Sequence, residues 1–198
     1  LNKVRNNRME YSDLLELNAH FKQKITEEDK YNCITLTTHN SKADAINEEA
    51  MNALKEKEFV FKCEVEDNFQ EKNYPVDAEL RLKKGARVMF LKNNTEKNYF
   101  NGKTGVVTAL SKDAIKVRCE GDKSEIDVPR EIWNNVSYIS DSSSKKVQEE
   151  IIGTFKQFPL RYAWAITIHK SQGLTFDKLI IDAAEAFSSG QVYVALSR

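Results

Sequence analysis

Tyr162-Ala163-Trp164-Ala165-Ile166-Thr167-Ile168 runs directly into His169-Lys170-Ser171-Gln172-Gly173. The first seven residues barely alternate between apolar and polar, which predicts a strand covered on both faces, as in a parallel sheet. The polar loop behind it stands where α/β proteins present their ligand-binding groups, beyond the carboxyl end of a strand. Cys33-Ile34-Thr35-Leu36-Thr37 and Leu179-Ile180-Ile181-Asp182 have the same texture. Helical patterns accompany them. Ala43, Ile46, Ala50 and Leu54 share one face of a helix that Asn40 or Ser41 can cap, with Ser41 and Asp44 at capping-box spacing. Val192, Tyr193, Ala195 and Leu196 suit a closing helix, and Leu14, Leu17 and Phe21 predict a surface helix over residues 8–22. The expected fold is α/β, built on a parallel sheet.

Between about 60 and 155 the pattern changes to short alternating segments, roughly 86–91, 104–110, 114–119, 124–128 and 151–157, split by turn residues such as Asn101-Gly102 and Gly121-Asp122. Such a pattern predicts a small antiparallel sheet or barrel. The simplest arrangement is one discontinuous α/β domain, residues 1–62 and 156–198, interrupted by an inserted β-module over residues 63–155. Ser140 to Lys146 reads as a mobile loop. Charge is segregated in the insert: residues 83–118 hold nine Lys or Arg against two acids, while 64–82 and 120–150 each carry a net charge of minus four. Two readings stand, a solvated surface of alternating blocks or a basic strip that tracks a phosphate backbone.

The whole chain, 198 residues with thirty basic and thirty acidic side chains, has no net charge, so any nucleic-acid footprint is local. Cys33, Cys63 and Cys119 lack the spacing of a zinc site or a disulfide framework and fit a reducing, cytoplasmic compartment. No apolar run has the length of a membrane span, and Leu1 to Glu10 lacks a signal-peptide core. No membrane partner is expected.

Gly102-Lys103-Thr104 ends like the phosphate-binding loop G-x-x-x-x-G-K-[ST], but Lys97 occupies the first glycine position. A phosphate loop must also open into a helix whose N-terminus holds the anion, whereas Val106 onward reads as a strand. A turn on Asn101-Gly102 accounts for the tripeptide. Without a phosphate loop, Asp182 reads as a strand-end polar residue, and no metal ligand is assigned.

Two longer motifs carry a family resemblance. They are Ala165-Ile166-Thr167-Ile168-His169-Lys170-Ser171-Gln172-Gly173-Leu174-Thr175 and Gln191-Val192-Tyr193-Val194-Ala195-Leu196-Ser197-Arg198, supported by Leu82 to Asn93, by Asn101-Gly102-x-x-Gly105-Val106-Val107, and by Ile34-Thr35-Leu36-Thr37 before Asn40. In these stretches the chain resembles the RecD/Pif-type DNA helicases of superfamily one. The resemblance implies a second RecA-like motor domain interrupted by a β-barrel of the Src-homology-three kind. It also implies 5′ to 3′ movement, with ATP and magnesium as cofactors of the parent enzyme, and with single-stranded DNA and an N-terminal RecA-like domain of the same polypeptide as partners.

Residue roles follow from the same resemblance. Arg198 would be the arginine that reaches the γ-phosphate from across a cleft; without the motif it would read as a cation at a helix end. Gln172 and Gly173 would face nucleotide. Thr167, His169, Lys170 and Ser171 would contact phosphates of the single strand, and so would Thr38 and Asn40, although His39 stands where the family more often has proline. Because the chain starts at Leu1, stops at Arg198 and lacks a phosphate loop, it is expected to be a fragment that cannot hydrolyse ATP alone. The alternatives are a non-catalytic nucleic-acid-binding module, or the helicase part of a conjugative relaxase or a RecD-like exonuclease subunit.

Overall fold

The structure is a computed structural model and describes residues 1–22, 24–140 and 147–198. Residues 141–146 of the expected serine-rich loop therefore lie outside the described residues. Contacts divide the chain into two compact units, Leu1–Asn52 with Tyr162–Arg198, and Ala53–Arg161.

The first unit contains α1 (Asn2–Arg5), α2 (Tyr11–Ala19), α3 (Glu27–Asn32), β1 (Ile34–Thr37) and α4 (Asn40–Ala53). Chain order continues in the second unit with β2 (Phe59–Lys62), β3 (Glu64–Asp67), β4 (Glu79–Leu82), β5 (Arg87–Phe90), β6 (Thr104–Leu110), β7 (Ile115–Cys119), β8 (Ile126–Val128), β9 (Glu131–Ser140), β10 (Val147–Gln157) and β11 (Leu160–Tyr162). It returns to the first with β12 (Ala165–Thr167), β13 (Leu179–Asp182) and α5 (Ser189–Leu196).

β12, β1 and β13 form a parallel sheet with β1 in the middle. Thr37 lies opposite Thr167 on one side and opposite Asp182 on the other, so the three strands end level and their loops leave from one edge. The apolar run Tyr162–Ile168 is not one strand, as the sequence suggested. A bend at Trp164 divides it, so that β11 joins an antiparallel sheet and β12 the parallel one. Asn40 is already helical and so occupies the first turn of α4, not its cap.

On α4 the buried positions are Ala43, Asn47 and Met51, spaced four apart, with the predicted Ile46 and Ala50 only half-buried beside them, while the predicted Leu54 falls beyond the helix end. Asn47 is polar because it completes the sheet. As the outer strand, β12 turns the peptide groups of Ala165 away from β1 and would leave them unpaired in the interior. The Asn47 side chain meets both, its Nδ2 donating to the Ala165 carbonyl at 2.8 Å and its Oδ1 accepting from the Ala165 N–H at 2.9 Å. Asn47→Ala removes both bonds and strands two buried groups. At roughly 1–3 kcal/mol for each unsatisfied group, the expected loss is about 3 kcal/mol. Urea unfolding checks this, and a loss under about 1 kcal/mol would show that the clamp is dispensable.

The second unit is antiparallel. Its sheets have the orders β11-β5-β6-β7-β8, β3-β10-β9 and β2-β4. A closed barrel was expected; instead β8 and β11 stand at opposite edges of the five-stranded sheet, and the strand pairing stays open. The expected boundary at residue 62 also moves: β2 pairs with β4 from Phe59↔Leu82 to Lys62↔Glu79, which puts it in this unit. Its core gathers Phe61, Phe90, Phe155, Phe158, Val88 and Val117, with Tyr74 and Trp133 against the Phe155 ring at 4.6 and 5.9 Å between centroids. Gly153 sits at a register shift between β9 and β10, where a Cβ would lie 2.6 Å from the Asn68 backbone, so any larger residue collides with main chain.

Candidate functional site

The level strand ends of the parallel sheet bring three loops together. Thr38-His39 follows β1, His169 to Gly173 follows β12, and Ala183 to Ser188 follows β13. The Thr38 hydroxyl, nearly buried, is hydrogen-bonded to His39 Nδ1 at 2.8 Å. His39 Nδ1 lies 3.7 Å from Glu185, and its ring lies 5.6 Å from that of Phe187. The His169 ring stacks near Phe187 as well, at 6.2 Å. Asp182, at the end of β13, is paired with Lys42 on α4 at 2.8 Å. The ion pair satisfies this carboxylate, consistent with a strand-end role. Among the described residues no group of three or more His, Cys, Asp or Glu side chains could hold a metal ion.

The loop after β12 makes one tight turn. The Ser171 N–H donates to the carbonyls of Thr167 and Ile168, the Gln172 N–H to His169, and the Leu174 N–H to Ser171. The predicted residues divide here into two kinds. Ser171 is fully buried and donates its hydroxyl to the Ile168 carbonyl at 2.7 Å, and the buried Thr167 hydroxyl accepts from the Lys170 N–H at 3.4 Å. Both side chains are committed to shaping the turn. His169, Lys170, Gln172 and Gly173 are exposed on it, as is Asn40 in the first turn of α4. Gly173 has φ +79 and open space around its missing Cβ, so the conformation of the turn, not crowding, calls for glycine.

Arg198 returns to this loop. Its Nη1 donates to the Leu174 carbonyl at a long 3.4 Å, its Nη2 to the Ser197 hydroxyl at 2.9 Å and its Nε to the Val194 carbonyl at 3.1 Å. The Phe176 N–H donates to the Arg198 carbonyl at 3.1 Å. Arg198 thus meets, at Leu174, the end of the loop that carries Gln172 and Gly173, which precede it by 26 and 25 residues.

Five of the nine basic residues of the strip in the second unit are answered by acids. Arg87 pairs with Glu120 at 3.7 Å, Lys92 with Glu131 at 3.3 Å, Lys103 with Asp122 at 2.6 Å, Lys116 with Asp127 at 3.4 Å and Arg118 with Glu125 at 2.7 Å. Antiparallel pairing lays the basic block against the acidic block that follows it, which favours the solvated-surface reading. Gly102-Lys103-Thr104 enters β6 from a turn in which the Gly102 N–H donates to the Phe90 carbonyl, and Lys103 is bound to Asp122 and the Asn98 carbonyl. It opens into a strand, not a helix. No described helix is long and apolar enough to cross a membrane.

Sequence reading missed Phe187 and Gln191. Phe187 is 66% exposed, and its N–H donates to Oε1 of the buried Gln191 at 3.3 Å. An aromatic residue in the loop directly after a parallel strand was the available signal for the first. The second lay inside a quoted motif without a role.

Fold and edge together define a mixed α/β protein whose parallel strands deliver three loops to one side, the one after β12 meeting an arginine just beyond the last helix. No family model matches the chain. It is 33% identical over 193 residues to the ATP-dependent DNA helicase Pif1 of Campylobacter jejuni, covering 92% of this chain and 43% of that protein. Against ATP-dependent DNA helicase PIF1 of Xenopus laevis it is 40% identical over 126 residues, 63% of this chain and 18% of the relative. The structure of Bacteroides sp Pif1 in complex with ADP-AlF4 matches with a TM-score of 0.90 at 40% identity, over 100% of this chain and 45% of that one. Bacteroides Pif1 bound to single-stranded DNA matches over the same shares with a TM-score of 0.76 at 40% identity. The chain is homologous to the C-terminal region of Pif1/RecD-type helicases of superfamily one. It spans less than half the length of these relatives.

Proposed function

We propose that the chain is the C-terminal motor portion of an ATP-dependent DNA helicase, with the parallel unit acting as the second RecA-like domain and the antiparallel unit as a module inserted into it. The observation that carries this reading is the meeting of Arg198 with the Gln172-Gly173-Leu174 loop, on a chain that matches a Pif1 bound to a nucleotide analogue over its full length. Arg198, Gln172 and Gly173 suit the γ-phosphate side of ATP: a guanidinium, an exposed carboxamide and free backbone in one place. In this reading the magnesium that accompanies ATP would be held by the nucleotide-binding domain of the parent. ATP hydrolysis supplies the free energy that drives alternating grips on DNA.

The residues of this chain then have distinct tasks. Arg198 gives up its long contact with the Leu174 carbonyl and places positive charge where negative charge gathers in phosphoryl transfer. Its planar fork suits two phosphate oxygens better than a lysine would. Gln172 senses the γ-phosphate from the same turn. His169, Lys170 and Asn40 contact backbone phosphates of single-stranded DNA, with Thr38 offering its backbone N–H, while Thr167 and Ser171 hold the turn that aims them.

ATP turnover by the 198-residue chain and by the full-length protein, each with single-stranded DNA, tests the assignment. The full-length protein is expected to turn over ATP in a DNA-dependent way and the chain alone not at all. Turnover by the chain alone at a helicase-like rate would sink the reading. Five of the nine basic residues of the strip are paired with acids, which weakens the case for a stand-alone binding module.

A further inference from the structure

The three loops at the sheet edge each contribute one ring: His39 after β1, His169 after β12 and Phe187 after β13. We propose that Phe187, between these imidazoles in contact terms, is a platform on which one nucleobase of the bound single strand stacks. This rests on the helicase reading above and adds to it a contact with a base where that reading assigns only phosphate contacts.

Four observations support the platform. Phe187 exposes 66% of its surface, so the ring is open to a ligand. The ring is held in place: the Phe187 N–H is fixed to the buried Gln191 carboxamide at 3.3 Å, and the two imidazoles stand 5.6 and 6.2 Å from the ring centroid. The Nε2 of Gln191, buried with the residue, has no hydrogen-bond partner among the described residues, which leaves a donor unused beside the anchor of the platform. The surroundings are polar and charged, with Glu185 near His39, the Lys42–Asp182 pair at the strand end and exposed Lys170 on the neighbouring loop. An apolar protein partner would strand those groups. A nucleobase offers a flat π face to the ring and keeps its polar edges toward these groups and its phosphate toward Lys170, and such stacking is sequence-tolerant, as a translocating enzyme requires.

Binding of an oligo(dT) and of an abasic phosphodiester of equal length to the full-length protein tests the platform. Phe187→Ala is expected to weaken oligo(dT) binding roughly tenfold or more, the scale of one aromatic stack, and to leave abasic binding unchanged. Phe187→Trp is expected to keep the affinity and to show indole fluorescence quenched by oligo(dT) but not by the abasic strand. Equal loss on both strands, or no loss on either, overturns the platform while the helicase reading stands. Failure of the unaltered protein to bind either strand overturns both.

Discussion

Replacing Arg198 by alanine in the full-length protein is expected to lower DNA-stimulated ATP turnover by about three orders of magnitude or more, the usual scale for an arginine that completes a phosphoryl-transfer site. The competing role is visible in the structure. Arg198 lies two residues beyond the end of α5 and hydrogen-bonds the Val194 carbonyl, as a cation that offsets a helix dipole does. A residue with that role alone contributes roughly 0.3–1 kcal/mol of stability and nothing to turnover. The two roles therefore separate in one experiment. Steady-state hydrolysis at saturating ATP and single-stranded DNA should collapse in the alanine variant while thermal stability barely moves. Arg198→Lys should remain severely impaired, because an ammonium cannot grip two oxygens through a fixed fork. Near-normal turnover in Arg198→Ala would show that its meeting with the 172–174 loop is structural.

Gln157→Leu is the substitution expected to cost the most stability. Gln157 is fully buried at the end of β10. Its Nε2 donates to the Phe61 carbonyl at 2.9 Å and to the Ala78 carbonyl at 3.2 Å, and its Oε1 accepts from the Phe158 N–H at 2.9 Å. One side chain thereby ties the end of β10 to the middle of β2 and to the approach to β4, where the Ala78 carbonyl also accepts from the Cys63 N–H. Leucine preserves most of the volume and none of these hydrogen bonds, leaving the buried Phe61 carbonyl and Phe158 N–H without the carboxamide. With roughly 1–3 kcal/mol for each, the expected loss is about 4 kcal/mol. That is a large part of the 5–15 kcal/mol typical of a folded domain. Urea unfolding followed by the fluorescence of Trp133, which packs on Phe155, reports on this unit. A loss under about 1 kcal/mol would mean that water or a shifted strand replaces the carboxamide.

Asn47 and Gln157 show why part of this protein could not be read along the chain. Asn47 falls within the predicted helix and looks like one of its polar positions, yet it is buried because an outer strand needs a partner. Periodicity located the α/β segments, and the polar loop after Ile168 was legible because it interrupts an apolar run. The reading of Gly102-Lys103-Thr104 as a turn was equally local, since the strand after it can be seen in Val106 and Val107. The open pairing of the antiparallel sheets was not legible: alternation specifies that a strand has two faces but not which strand lies beside it.

The sequence by itself determined the parallel strands, the motif loop behind β12 and the homology carried by residues 165–175 and 191–198, because each is written in neighbouring residues. Only the tertiary structure decided which of those loop residues face outward, which basic groups are already paired, and that His39, His169 and Phe187 share an edge. The physical reason is distance along the chain. The Asn47–Ala165 and Gln157–Phe61 bonds join residues 118 and 96 positions apart, and no local pattern records a partner so remote.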